Sequence, residues 1–329
     1  MYAAKHDRYA TMRYNRCGKS GLKLPAVALG LWQNFGSQGC FATMEKMIHT
    51  AFDLGVVHFD LANNYGAPYG GSAEENFGRI LSDMRSYRDE MCISTKAGYG
   101  MWPGPYGDRN GSRKYLISSL DQSLGRMGLE YVDIFYHHAT DPDTPIEETA
   151  LALDQIVRSG KALYIGISNY NRAQTEAILK IFRELRVPFV VNQPSYAMLN
   201  RWVEHDGLDT YALSEGFGLA VYSPLYQGLL TDRYLNGIPA DSRAGKGNEH
   251  LRSLLNEKML AKLGALNSIA AERGQTLSQL ALSWVLHNPA VTTVITGASS
   301  PQQVAMNAAC VGHLDFADEE IAKIEEILK

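Results

Sequence analysis

The feature that most constrains the fold is a regular alternation of short apolar segments with longer, helix-like segments. The short segments are runs of five or six apolar or β-branched residues, and they recur along the whole chain. This alternation is typical of parallel βαβ units, in which each helix returns the chain to the same edge of a sheet. The predicted strands are 26–31, 56–60, 91–95, 131–136, 162–167, 188–192, 218–222 and 291–296.

Eight strands is the number that closes a (β/α)₈ barrel, and we predict this TIM barrel as one domain over residues 1–329. An open doubly wound sheet is the alternative. It is less favoured because no G-x-G-x-x-G motif follows the first strand, and Gly98-Tyr99-Gly100 lacks the third glycine. Predicted helices include 43–54, 112–127, 147–159 and 172–186.

Residues 223–255 interrupt the alternation, since they hold no clear strand and are polar and glycine-rich over 240–250. Loops of this length inside a compact domain are usually functional or disordered. We therefore predict a surface excursion that serves as a lid, followed by a long helical stretch over roughly 256–287.

Composition and charge exclude several classes of function. The formal net charge is −4, which gives no electrostatic reason to expect nucleic acid or an acidic membrane surface as a partner. No apolar run reaches the roughly 18 residues of a membrane span, and the polar N-terminus lacks a signal-peptide core. The cysteines are scattered without a C-x-x-C pair, so we expect a reduced, cytoplasmic protein without membrane insertion. They are Cys17, Cys40, Cys92 and Cys310.

Polar residues stand at the carboxyl ends of most predicted strands, where barrel enzymes of this fold carry their chemistry. Six or more strands contribute one, which chance placement does not readily explain. They are Asp60, Lys96, His137 with His138, Ser168 with Asn169, Gln193, and Tyr222 with Ser223, while Gly297 follows the last strand.

Asp60, Tyr65, Lys96 and His138 together predict a proton donor for a carbonyl group that is being reduced. A free phenol has a pKa near 10, and a neighbouring ammonium is expected to lower it, so that Tyr65 becomes a better acid. A buried Lys96 needs the counter-charge of Asp60. A histidine beside the phenol can orient or polarise the substrate oxygen. Each residue alone has an ordinary structural role, and only the joint placement favours catalysis.

The two adjacent histidines are expected to face opposite sides of the fourth strand. His138 shares a face with Val132 and Ile134, whereas His137 shares one with Asp133. A barrel interior accepts apolar side chains more readily than a carboxylate, so His138 is predicted to face inward. No third ligand stands at a spacing typical of zinc, and no metal is predicted.

Several motifs of the chain resemble those of the aldo-keto reductases from about residue 13 onward. Within that family the chain is most similar to the branch of the voltage-gated potassium channel β-subunits and the bacterial L-glyceraldehyde 3-phosphate reductases. The channel subunits carry asparagine where this chain has His138, which favours the enzymes of the branch. The motifs are Asp60-x₄-Tyr65, "ISTKAG" at 93–98, "YVDIFYHH" at 131–138, "GISNY" at 166–170, "NQPSY" at 192–196 and "YSPL" at 222–225.

The resemblance implies a (β/α)₈ barrel that binds NADPH or NADP+ and reduces a small aldehyde, such as a triose phosphate or methylglyoxal. Tyr65 is then the acid, with Asp60, Lys96 and His138 around it. Trp32 and Trp102 join Tyr65 and His138 in the substrate pocket. The 223–255 segment covers the cofactor. The implied cofactor contacts are Gly30, Leu31, Trp32, Asp60, Ser168, Asn169, Gln193, Tyr222, Ser223, Pro224, Leu225, Gly228, Arg233, Arg243, Gly297, Ser299, Gln303 and Asn307.

Two further expectations follow from the resemblance alone. The chain is expected to form a homo-oligomer, a tetramer or an octamer. The alternative function is an NADPH-sensing subunit with slow or no turnover, like the channel β-subunits.

Overall fold

The computed structural model describes residues 2–67, 70–106, 109–240 and 242–329. Its strands alternate with helices along the chain, as the sequence pattern predicts. The strands are β1 (Tyr14–Arg16), β2 (Lys23–Pro25), β3 (Val27–Gly30), β4 (His58–Asp60), β5 (Cys92–Ala97), β6 (Val132–His137), β7 (Ala162–Ser168), β8 (Phe189–Gln193), β9 (Gly218–Tyr222) and β10 (Val291–Thr296).

The helices lie outside the strands and bury one face of each against them. They are α1 (Phe41–Asp53), α2 (Ser72–Leu81), α3 (Arg113–Met127), α4 (Ile146–Arg158), α5 (Arg172–Leu185), α6 (Trp202–His205), α7 (Leu208–Glu215), α8 (Glu249–Leu254), α9 (Glu257–Glu272), α10 (Leu277–His287), α11 (Pro301–Ala308) and α12 (Asp318–Leu328), with short 3₁₀ turns at Arg85–Glu90, Tyr226–Gly228, Asp232–Tyr234 and Ala309–His313.

Strands β3 to β10 close into a parallel barrel, because β10 pairs with β3 as well as with β9. The prediction of a (β/α)₈ barrel is therefore confirmed, and the open sheet is excluded. Register places Asp60 beside Gly30 on one side and beside Ser94 on the other. The carboxyl ends of neighbouring strands thus meet at one rim, where the predicted polar residues stand.

A hairpin of β1 and β2 covers the opposite, amino-terminal end of the barrel. Cys17 and Leu24 from this hairpin are buried in one apolar cluster with Ile134 and Val190. The Cys17 thiol donates to the Val190 carbonyl at 3.2 Å. The hairpin therefore closes the end away from the polar rim, and the strand pattern did not predict it.

The helical stretch predicted over 256–287 is two helices, α9 and α10, so this prediction is wrong in one detail. Gly274 has a φ of +67°, and Thr276 caps α10 through a reciprocal pair of hydrogen bonds with Gln279. A left-handed glycine followed by a capping box ends one helix and begins another.

The predicted excursion over 223–255 contains short helical turns and α8, and it holds no strand among its described residues. Asp241, within the predicted polar part of this segment, lies outside the described residues. In the part of the chain that the structure describes, no helix has the length and apolar character needed to cross a membrane.

Candidate active site

A buried ion pair joins the ends of β4 and β5 at the polar rim. Lys96 has 0% exposure, and its Nζ lies 2.6 Å from Asp60 Oδ2. The same ammonium donates to the Leu61 carbonyl at 2.5 Å. Burial lowers the pKa of Lys96, and the charge of Asp60 opposes that effect. Asp60 therefore supplies the counter-charge that the sequence analysis expected for this lysine.

The second oxygen of Asp60 is held by two neutral donors. Ser94 Oγ donates to Oδ1 at 2.8 Å, and Gln193 Nε2 donates to it at 3.1 Å. His58 Nε2 lies 3.0 Å from Ser94 Oγ and extends the network below the rim. Ser94 is not among the predicted site residues, although it stands two residues before Lys96 and therefore shares its side of the strand.

Tyr65 lies over the ion pair, in the loop that follows β4. Its hydroxyl is 3.5 Å from Lys96 Nζ, and its ring centroid is 4.8 Å from that nitrogen. Burial raises the pKa of Tyr65 well above 10, and the charge of Asp60 adds to the rise. The expectation of a lowered pKa is wrong, because burial disfavours the phenolate and the nearby Asp60 charge disfavours it further. The phenol therefore keeps its proton at neutral pH.

His138 follows β6 directly, and its ring lies 5.8 Å from the Tyr65 ring and 4.6 Å from the Tyr99 ring. Burial lowers the pKa of His138 well below 6.5, and the nearby Lys96 charge lowers it further. The imidazole is therefore neutral at pH 7 and carries one N–H. His137 points elsewhere, because its Nδ1 lies 2.6 Å from the Tyr170 hydroxyl.

The two predicted tryptophans of the pocket occupy different surroundings. Trp32 is 54% exposed and lies 6.4 Å from the Tyr65 ring, at the mouth of the site. Trp102 instead packs against Tyr115, with ring centroids 5.2 Å apart. Tyr99, which the sequence analysis did not select, forms a wall beside His138. Its position after Gly98 at the end of β5 was the available signal.

Four predicted cofactor contacts lie together at the ends of β7, β8 and β9. The Tyr222 hydroxyl donates to Asn169 Oδ1 at 2.7 Å, and Asn169 Nδ2 donates to the His138 carbonyl at 3.0 Å. Ser168 Oγ donates to the Gln193 carbonyl at 2.8 Å. Asn169 has a φ of +60°, a conformation that non-glycine residues adopt rarely and often at functional sites.

The remaining predicted cofactor contacts are spread along the rim. Gly30 and Leu31 stand at the end of β3, and Ser223, Pro224, Leu225 and Gly228 begin the 223–255 segment. Arg233 and Arg243 are exposed on that segment. Gly297, Ser299, Gln303 and Asn307 follow β10, where Gln303 Oε1 accepts hydrogen bonds from the backbone and side chain of Ser299.

A cleft of about 600 Å³ opens between the loop after β3 and the 223–255 segment. Gln33 and Asn34 line it on one side, with Ser299 and Lys246 on the other. Lys246 belongs to the predicted lid and is a basic residue that is not among the predicted cofactor contacts. The cleft includes Ser299, one of the predicted cofactor contacts, and does not include Tyr65 or Lys96.

The residues of this rim fit a nicotinamide dinucleotide. A carboxamide needs both donors and acceptors, which Asn169 and Gln193 provide, and a flat aromatic ring such as Tyr222 can stack on the nicotinamide. A Cβ at Gly228 or Gly297 would meet no atom within 4 Å, so the backbone there leaves open space. Exposed basic side chains on the 223–255 segment suit phosphate groups.

The fold and the site define a barrel oxidoreductase that acts on carbonyl groups. The aldo/keto reductase family model matches residues 26–329, and the chain belongs to that family. This confirms the resemblance seen in the sequence motifs. Members of the family act on small aldehydes and generally use NAD(P)H.

The relatives agree with this assignment. The L-glyceraldehyde 3-phosphate reductase of Escherichia coli (strain K12) is 52% identical, over 99% of this chain and 95% of that protein. A "Probable voltage-gated potassium channel subunit beta" of Arabidopsis thaliana is 37% identical, over 97% of each chain. A solved structure of the thermostable aldo-keto reductase Tm1743 has a TM-score of 0.75 at 28% identity, and the match covers 96% of this chain and 100% of that one.

Proposed function

We propose that the chain reduces a small aldehyde to the alcohol with NADPH, and that Tyr65 donates the proton. The observation that carries this proposal is the Tyr65 hydroxyl 3.5 Å from the buried Lys96 ammonium, with the His138 ring 5.8 Å from the Tyr65 ring. A general acid must hold its proton until the substrate oxygen gains charge, and Tyr65 has a pKa that satisfies this condition.

The cofactor supplies the hydride, and the side chains at the rim handle the proton. Tyr65 passes its proton to the carbonyl oxygen as charge develops there. Lys96 then stabilises the phenolate, and Asp60 keeps Lys96 charged in a buried place. The neutral His138 donates one hydrogen bond, which orients the carbonyl oxygen toward the phenol.

For the cofactor we propose that Ser168, Asn169 and Gln193 bind the carboxamide and that Tyr222 stacks on the nicotinamide. The 223–255 segment would cover the dinucleotide. Arg233 and Arg243 are the candidates for the 2′-phosphate of NADPH, because a guanidinium can bind two phosphate oxygens at once.

For the substrate we propose a three-carbon aldehyde that carries a phosphate. The relative at 52% identity is named for L-glyceraldehyde 3-phosphate. Arg109 supports the same substrate here, because its Cζ lies 5.6 Å from the Tyr99 ring, which in turn packs on His138. Among the described residues, no carboxylate forms an ion pair with this exposed guanidinium. Arg109 is therefore our candidate for the phosphate of a triose phosphate whose carbonyl oxygen lies at Tyr65.

The test is a spectrophotometric assay of NADPH oxidation with glyceraldehyde 3-phosphate, with unphosphorylated glyceraldehyde and with methylglyoxal. We expect turnover, and we expect Arg109→Ala to lower kcat/KM about tenfold or more for the phosphorylated substrate only. Lys114→Ala is the matched control, since Lys114 is a cation of the same region whose ammonium packs over Tyr106 instead.

Two results would contradict the proposal at different levels. If Arg109→Ala lowered kcat/KM equally for all three aldehydes, Arg109 would not recognise the phosphate, but the reductase activity would still stand. Tight NADPH binding without oxidation by any aldehyde would instead favour the cofactor-sensing subunit.

A further inference from the structure

A buried carboxylate outside the predicted catalytic group lies behind the wall of the barrel. Glu74, near the start of α2, has 0% exposure. Its Oε1 accepts a hydrogen bond from Thr95 Oγ1 at 2.5 Å, and its Oε2 lies 2.7 Å from Arg126 Nε on α3. A carboxylate is costly to bury, so full burial of one with two partners indicates a specific role.

One partner of Glu74 belongs to the strand that carries Lys96. Thr95 immediately precedes Lys96 on β5, and alternation places the two side chains on opposite faces. Lys96 points to the reaction side, and Thr95 points outward to Glu74. The charge of Glu74 also raises the pKa of Lys96. Its effect is smaller than those of burial and of Asp60.

Glu74 also adjoins the backbone that fixes Tyr65. The N–H of Ala73, the residue before Glu74, donates to the Tyr65 carbonyl at 3.1 Å. A Cβ at Gly66 would lie 2.7 Å from the Ala73 nitrogen, so the loop closes tightly on the start of α2. A Cβ at Gly71 would lie 2.3 Å from Arg126 Nε, so the partner of Glu74 packs against the same turn.

We propose that Glu74 is a positioning residue, which holds the Tyr65 loop and the Lys96 strand at their working separation. The inference rests on the proposed function, because it needs Tyr65 and Lys96 to handle the proton. The Tyr65 hydroxyl is already 3.5 Å from Lys96 Nζ, at the limit of a hydrogen bond. A small displacement of either element therefore breaks this contact.

Two substitutions separate the parts of this role. Glu74→Gln keeps the shape, because the amide can accept from Arg126 and donate to Thr95, but it removes the negative charge. Thr95→Val keeps the charge and the Arg126 ion pair but removes the link to β5. Glu75→Gln is the matched control, since Glu75 is the next residue on α2 and is exposed.

The experiment is stopped-flow measurement of single-turnover NADPH oxidation against pH, with glyceraldehyde 3-phosphate at saturation. The alkaline limb of this profile should report Lys96. The titratable groups that face Lys96 are Asp60 and His58 from β4, Tyr65 from the following loop, Tyr136 and His138 from β6 and its end, and Glu74 from α2.

Glu74→Gln should move the alkaline limb to lower pH by roughly half a unit, because an anion that favours the ammonium is lost. Thr95→Val should slow the step about fivefold or more with an unchanged alkaline limb and unchanged NADPH affinity. Glu75→Gln should change neither quantity.

If Glu74→Gln and Thr95→Val both fold and both keep the parental rate and pH profile, the inference is refuted, while the proposed reductase activity still stands. If Glu74→Gln does not fold, Thr95→Val decides alone, with a slower step supporting the role and a parental rate refuting it. If the parent protein does not oxidise NADPH with any of the aldehydes, the proposed function is refuted, and this inference with it.

Discussion

The strongest prediction concerns Asp60→Asn, which removes the counter-charge of a fully buried lysine. Asparagine can still accept from Ser94 and Gln193 through its oxygen, so most of the local hydrogen bonding survives. The N–H₂ group of the asparagine then replaces Asp60 Oδ2, which accepts from Lys96 Nζ at 2.6 Å in the parent. Two donors face each other in the variant. The variant therefore buries an uncompensated cation.

The size of the effect follows from two limits. Breaking a buried ion pair by removal of one partner costs about 3–5 kcal/mol. Lys96 can escape this cost by losing its proton, which costs about 4.6 kcal/mol at pH 7 for a lysine with an unfolded pKa near 10.4. We expect the free energy of unfolding to fall by about 3–4.5 kcal/mol at pH 7, a large part of the stability of a typical domain.

Because Lys96 can lose its proton, the loss in the free energy of unfolding depends on pH in a known direction. With Lys96 neutral in the folded variant and charged in the unfolded chain, the unfolded state binds one more proton. Stability then rises with pH, by about 1.4 kcal/mol per unit, until the unfolded pKa near 10.4 is reached. In the parent the same slope begins only at higher pH, because Asp60 keeps the folded ammonium protonated. At pH 9 the variant should lie within about 2 kcal/mol of the parent.

The assay is urea denaturation of both proteins at pH 7, 8 and 9. Asp133→Asn is the control, since Asp133 lies 2.9 Å from Arg88, and an arginine does not discharge in this range. Its loss of stability should be the same at all three pH values. The reasoning would be refuted if Asp60→Asn lost less than about 1 kcal/mol at pH 7, or if its loss did not shrink as pH rises.

Three further predictions follow from the site. Tyr65→Phe should lower the single-turnover rate by about 10²–10⁴ while fluorescence titration shows unchanged NADPH affinity, and a parental rate would exclude Tyr65 as the acid. Arg233→Ala and Arg243→Ala should each weaken NADPH binding roughly ten- to a hundredfold and leave NADH nearly unaffected, whereas equal losses for both cofactors would place the arginine away from the 2′-phosphate. Reduction rates should stay constant from pH 6 to 8, because the pKa of His138 lies well below 6.5. They should fall at alkaline pH as Lys96 loses its charge. A rate that follows an imidazole titration near pH 6.5 would contradict the neutral His138.

Strand periodicity was sufficient to predict the barrel, because each strand buries an apolar run long enough to recognise. The hairpin of β1 and β2 escaped this approach, since its strands have three residues each and include exposed polar side chains. The break between α9 and α10 was available in the sequence as Gly274 and the Thr276–Gln279 capping box. A continuous helical composition on both sides concealed it.

The convergence of Asp60, Tyr65, Lys96 and His138 could also be predicted, because parallel strands deliver their carboxyl ends to one rim. Their roles remain predictions. Two features could not be read from the sequence. The direction of the Tyr65 pKa shift depends on burial and on the nearby Asp60 charge. The position of Glu74 depends on Arg126, which is 52 residues away along the chain.

The geometry around Lys96 explains why a raised pKa at Tyr65 suits the proposed acid. An ammonium has three donors, and here two of them are filled at short distance by Asp60 and the Leu61 carbonyl. The third is directed at the Tyr65 hydroxyl, which at 3.5 Å gains little from it while the phenol is neutral. When the proton passes to the substrate, the oxygen of Tyr65 becomes an anion beside this donor, and the contact strengthens. An interaction that is stronger in the transition state than in the ground state is the kind that lowers a barrier. A lysine that had already lowered the pKa of Tyr65 would have used this interaction before the reaction began.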